Sequence, residues 1–108
     1  MSNVAIDGEL ARLVERLSKL RIATPIDDPN YDAITEQYKE ASDRQTEAIG
    51  KAIDDADQNY LNFSKEIKVA ITAINRALKD IQKIAQAIEQ VAKVLEIVGK
   101  ILGKLIGG

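Results

Sequence analysis

The chain has no cysteine and no histidine, and its 108 residues include only two prolines, one Phe, three Tyr and no Trp. The missing thiols exclude disulfides and thiolate nucleophiles. The missing imidazoles exclude Ser-His-Asp triads, and the two absences together remove nearly every zinc or transition-metal site. Carboxylates, Lys and Tyr are the only acid–base groups left, so enzyme activity, cofactors and metals are not expected. Two prolines and six glycines leave little turn chemistry for a many-stranded sheet, and no segment reads as strand. Long apolar runs are missing too: no charge-free stretch approaches the ~18 residues of a spanning helix. The start, Met-Ser-Asn-Val-Ala-Ile-Asp, lacks a basic region and an apolar run. No secretory signal is therefore expected, which fits residence in the cytoplasm or export without a cleavable signal. With few aromatics to stack on bases and no arginine cluster, no nucleic-acid partner is expected.

What remains is 45% hydrophobic and 30% charged, the balance of a soluble helical chain. The expected fold class is all-α: an elongated, coiled-coil-like antiparallel hairpin with a short N-terminal helix, or a small three-helix bundle, in a single domain over 1–108. The net charge of −2 conceals an asymmetry. Residues 64–108 carry eight basic against four acidic side chains, or +4, which leaves −6 on residues 1–63. Halves of opposite sign attract, in a hairpin or in an antiparallel dimer.

Asp7 can cap a first helix over 7–22, in which Leu10, Leu13, Val14, Leu17 and Leu20 form one stripe. Pro25 and Pro29 make 24–30 a loop. A second helix is expected over 31–60, with Ala48, Ala52 and Ala56 as a small-residue ridge. A third, long amphipathic helix is expected over 64–106. There Ile67, Ile71, Ile74, Leu78, Ile81 and their successors step by four and three as far as Ile106, beside a second row from Ala70 to Leu105. Such a helix would be ~63 Å long at ~1.5 Å per residue. Asn59, Asn62 and Ser64 could turn the chain between these helices, but an unbroken stripe from Ile49 to Ile74 also permits one continuous helix.

Few residues suggest chemistry. Asp55, Asp57, Asn59 and Glu66 follow the oxygen spacing of a calcium loop, but Tyr60 stands where the sharp turn needs Gly and Asn62 where an apolar residue belongs. A solvated helical tip accounts for them better. Asp27, Asp28 and Asp32 read as loop and cap residues. The Gly107-Gly108 ending matches that of ubiquitin-like modifiers, whose β-grasp domain has no counterpart in this helical pattern.

The last segment stands out. From Gln82 onward the polar residues shrink to an arc of roughly 140°, leaving ~220° apolar, too wide for one partner helix to cover. The first helix, another subunit or lipid would have to complete the burial. Residues 97–108 are expected to overhang the second helix. There Gly99, Gly103 and Gly107 recur every fourth residue, as in helices that touch closely in membranes. With Lys100 and Lys104 one turn apart, the segment resembles amphipathic antimicrobial peptides in composition. The candidate membrane or self-assembly residues are Val98, Gly99, Lys100, Ile101, Leu102, Gly103, Lys104, Leu105, Ile106 and Gly107. The expected function is that of a non-enzymatic protein that self-assembles through its wide apolar face. Its C-terminal segment would engage a membrane or a shared oligomer core, as a pore-forming or toxin-like protein or a peripheral anchor does. The alternative is a soluble coiled-coil interaction module, such as a secretion-system or filament subunit or a helical adaptor. A homo-oligomer is expected, with a membrane surface or a protein as further partner.

Overall fold

The computed structural model describes residues 2–104 and the backbone of 106–107. In chain order the elements are β1 (Asn3–Val4), α1 (Asp7–Ala23), α2 (Tyr31–Ala48), β2 (Lys51–Asp54), α3 (Gln58–Lys79), a 3-10 turn (Ile81–Lys83), α4 (Ile84–Leu102) and β3 (Ile106–Gly107). The all-α class stands. α1 packs on α2 and α3, and α4 packs on α3 and α2, so α1 and α4 lie on one diagonal of a four-helix bundle and α2 and α3 on the other. The bundle measures 45 × 21 × 17 Å.

α1 ends where the sequence places its end. Thr24 is extended ahead of Pro25, and its backbone N–H and hydroxyl both donate to the Leu20 carbonyl. After the proline loop, α2 returns along α1. Arg21 fastens the pair: its Nε donates to Thr35 Oγ1 at 3.3 Å, and its guanidinium lies 6.0 and 5.7 Å from the ring centroids of Tyr31 and Tyr38.

The expected helix over 31–60 is two elements. α2 stops at Ala48, Ile49 turns extended, and Gly50 takes φ +76°, a left-handed conformation that Gly adopts without the Cβ penalty. Lys51–Asp54 then form a strand, against the expectation that nothing in the chain is β. β2 is the centre of a small antiparallel sheet: Asn3 and Val4 pair with Asp54 and Ile53, and Lys51 and Ala52 pair with Gly107 and Ile106. The expected alanine ridge is dispersed. Ala48 is buried in α2, Ala52 is half-buried in β2, and Ala56 is exposed in the turn.

The expected helix over 64–106 is also two elements, and the hairpin bends near Asp80 instead of 59–64. Asp80 is extended (φ −145°, ψ 101°), and its carboxylate accepts the N–H of Gln82 at 3.1 Å. The aspartate thus ends α3 and caps the turn that restarts the helix. Asp57 does the same for α3, accepting the N–H of Asn59 at 2.8 Å. Residues 59–64 lie inside α3, so Asn62 and Ser64 turn nothing.

α1 therefore packs on α3, and it is α2 that covers the remaining face of α4. The face left open for lipid or another subunit is filled from within the chain. Ile84, Ala87, Val91, Val94, Val98 and Ile101 are buried at a 3-4 spacing with Leu10, Leu13, Leu17, Leu20, Ile34, Phe63, Ile67 and Ile74. These α4 residues belong to the second apolar row. The first row leaves Ile81, Ala85, Ala92 and Gly99 exposed. Gln37 Nε2 ties α2 to α4 by donating to the Ile88 carbonyl at 2.9 Å.

Candidate functional site

Chain direction brings four element ends to one base of the bundle: the start of α1, the end of α2, the start of α3 and the end of α4, closed by the three strands. Most of the C-terminal candidates stand there, but the structure divides them. Val98 and Ile101 are fully buried and Leu102 is half-buried, so these three pack into the bundle and do not overhang it. Gly99, Lys100, Gly103 and Lys104 face outward. Ile106 and Gly107 continue the backbone as β3, paired with β2. Leu105 lies outside the described residues. An added Cβ at Gly99 would meet nothing within 4 Å, so among the described residues no helix uses Gly99 for close approach.

Lys104 reaches α3, its Nζ lying 3.3 Å from Asp57 Oδ2. Desolvation works to raise the Asp57 carboxyl, but the N–H of Asn59, the Lys104 ammonium and the N–H of Tyr60 together outweigh it and hold the group below the usual carboxylate range. Asp57 is therefore occupied as a cap and as an ion-pair partner. Residues 58–66, which a calcium loop would have to wrap, are helix. Among the described residues no group of three carboxylates is placed to hold a metal.

Two further groups near the base are perturbed. Burial raises the Glu9 carboxyl, and Lys68 partly offsets the rise. Burial likewise raises the Tyr60 hydroxyl, with the charges of Glu9 and Asp55 adding to it. The concavities of the bundle are open grooves between helices. One of about 460 Å³ runs between α3 and α4 on the side of the Asp80 bend, with Lys68, Val69, Ala73, Arg76 and Glu89 among its lining residues. Among the described residues no helix is long and apolar enough to cross a membrane.

The charges are sorted by helix. α2 carries Asp32, Glu36, Glu40, Asp43 and Glu47 against Lys39 and Arg44, a net −3. All five carboxylate residues are exposed, and at ~100° per residue they fall within an arc of ~80°. α3 carries Lys65, Lys68, Arg76 and Lys79 against Glu66, a net +3. These four are exposed as well, within a similar ~80° arc centred on Thr72. Among the described residues none of the four α3 cations forms an ion pair, and of the five α2 carboxylates only Glu47 is paired, with Arg44 at 3.5 Å. Reading the chain by halves could not show this sorting, because both stripes depend on where the helices end. The signal available in the sequence was the helical spacing of the charges themselves.

Comparison with family models, with curated proteins and with solved structures finds no match to this chain.

Proposed function

We propose that the chain is a non-enzymatic assembly subunit that works as a closed four-helix bundle, associating with copies of itself and with other proteins through its charged helix faces. The observation that carries this reading is the burial of Val98 and Ile101 with Ile84, Val91 and Val94. The apolar face of α4 has most of its partners inside the chain, and the surface left for other molecules carries stripes of charge with single exposed apolar residues beside them. A second reading keeps the C-terminal segment as a peripheral membrane contact. It is favoured by Lys100 and Lys104, which stand exposed one turn apart beside the half-buried Leu102.

Sedimentation over a range of protein concentration, alongside flotation on neutral and anionic vesicles, separates the two. The assembly reading expects a mass that rises with concentration above 11.9 kDa, with no flotation. Flotation on anionic vesicles that is lost in Lys100→Glu, a surface change that leaves the Lys104–Asp57 pair in place, would overturn it in favour of the membrane reading.

A further inference from the structure

The acidic and basic stripes stand on diagonally opposite helices, so no contact within the bundle neutralises one with the other. They are also matched in length. From Asp32 to Glu47 the acidic stripe runs ~22 Å, and from Lys65 to Lys79 the basic stripe runs ~21 Å, at ~1.5 Å per residue. α2 descends toward the sheet end and α3 ascends from it. Antiparallel alignment of the two sets Asp32 against Lys79, Glu36 against Arg76, Asp43 against Lys68 and Glu47 against Lys65. Glu40 falls opposite Thr72, the neutral residue at the middle of the basic stripe. A single offset thus pairs four cations with four carboxylates to within one residue.

The ends match as well. At the end away from the sheet, α2 is preceded by Ile26 (81% exposed) and α3 is followed by Ile81 (39%). At the sheet end, α2 is followed by Ile49 (56%), and α3 carries Leu61 (48%) in its first turn. Each stripe is therefore a charged middle between two exposed apolar ends, with the same polarity along the bundle.

We propose that the occupant of each stripe is a second copy of this chain: the α3 corner of one molecule docks on the α2 corner of the next. This inference rests on the self-association read under Proposed function and names its surfaces. The contact joins two different patches, so a docked pair keeps one free corner of each sign and assembly continues past the dimer into a ring or a row. Opposed charges steer the encounter and fix the register, while the isoleucines and Leu61 supply apolar area at the two ends.

The test reads assembly mass against salt and charge. Wild-type chain should at least double its weight-average mass in ~0.01 M salt, where screening acts over ~30 Å, and return to monomer in ~1 M salt, where it acts over ~3 Å. Lys65→Glu/Lys68→Glu/Arg76→Glu/Lys79→Glu makes both corners acidic, and Asp32→Lys/Glu36→Lys/Asp43→Lys/Glu47→Lys makes both basic. Each variant alone should stay monomeric with wild-type helicity, and an equimolar mixture should assemble. Because the chain has no cysteine, register is read without charge reversal. Glu40→Cys and Thr72→Cys chains, mixed in low salt, should form the crossed disulfide at least tenfold faster than either forms its own.

Assembly that ignores both charge reversals, or crossed and self disulfides forming at equal rates, would overturn the assigned surfaces while leaving self-association standing. A chain that stays monomeric in low salt at every concentration would overturn both. Binding of wild-type monomer to anionic vesicles or to DNA, lost in the α3 variant, would give the basic stripe to an anionic surface and overturn the proposal.

Discussion

Glu9 and Asp57 stand near the same end of the bundle and respond to acid in opposite senses. Burial raises the folded Glu9 carboxyl above its unfolded value. Its contribution is therefore fully present below the unfolded pKa and is lost as pH rises through the folded one, so ionised Glu9 costs stability at neutral pH. Glu9→Gln removes that charge while keeping the shape. It should raise the urea midpoint at pH 7 by the equivalent of less than about 0.5 kcal/mol, since the group keeps part of its contact with solvent and is screened there. The gain should vanish once acid protonates the wild-type residue. Asp57 is depressed in the folded state, so its contribution is present above the unfolded pKa and is lost as pH falls through the folded one. Asp57→Ala removes the cap of α3 and the partner of Lys104, and should lower the melting temperature at pH 7. Wild type and variant should converge in strong acid, below the folded pKa. A deficit that stayed constant from neutral pH into strong acid would show that the carboxylate's charge contributes nothing.

Two glycines separate backbone conformation from packing at the scale of the element. Gly50 sits at φ +76° between α2 and β2, with open space around a built Cβ, so Gly50→Ala tests the conformation alone. It should cost about 1–2 kcal/mol, the penalty of a left-handed L-residue, and loosen the sheet that follows. Gly99 is helical, exposed and equally open, so Gly99→Ala should stabilise α4 by about 1 kcal/mol. Thermal unfolding of both variants checks the pair, and destabilisation by Gly99→Ala would point to a close contact outside the chain. The same positions explain how far the elements were legible. α1 and its loop could be read because Pro25 and Pro29 stop a helix by sterics, whatever lies around them. Gly50 is an equally local signal, and it marks the end of α2 that apolar spacing runs past. At Asp80 the bend is a one-residue break and a single 3-10 turn, so the 3-4 repeat passes through with little disturbance. A repeat reports which residues can share a face, not whether the helix folds back on itself. The available cue was aspartate as a cap, at both Asp57 and Asp80. The same bend decides where the C-terminal segment goes: once the helix turns at Asp80, Val98 and Ile101 fall inside the bundle while Gly99, Lys100, Gly103 and Lys104 stay outside.

The whole molecule is two antiparallel pairs, α1 with α2 and α3 with α4, joined by β2 across the diagonal of the base. α4 needs both pairs. Its buried row faces α3 on one side and α2 on the other, and the Ile88 carbonyl takes a hydrogen bond from Gln37 of α2. A fragment spanning residues 56–104 keeps its own hairpin but loses α1 and α2, and with them the cover over part of each buried face. Full burial of an Ile, Val or Phe side chain contributes roughly 1.5–3 kcal/mol, and a two-helix unit has little else to offset the entropy of ordering. The fragment should therefore associate through the exposed faces or lose most of its helicity, not fold as a monomer. Adding a 1–50 fragment in trans should restore helicity and give a one-to-one complex, because the missing cover is a complete helical pair with its own loop. Circular dichroism with sedimentation of each fragment and of the mixture decides the point. A 56–104 fragment that is monomeric, fully helical and cooperative in its melting would mean that the second pair is an independent folding unit, with α1 and α2 added to a structure already stable without them.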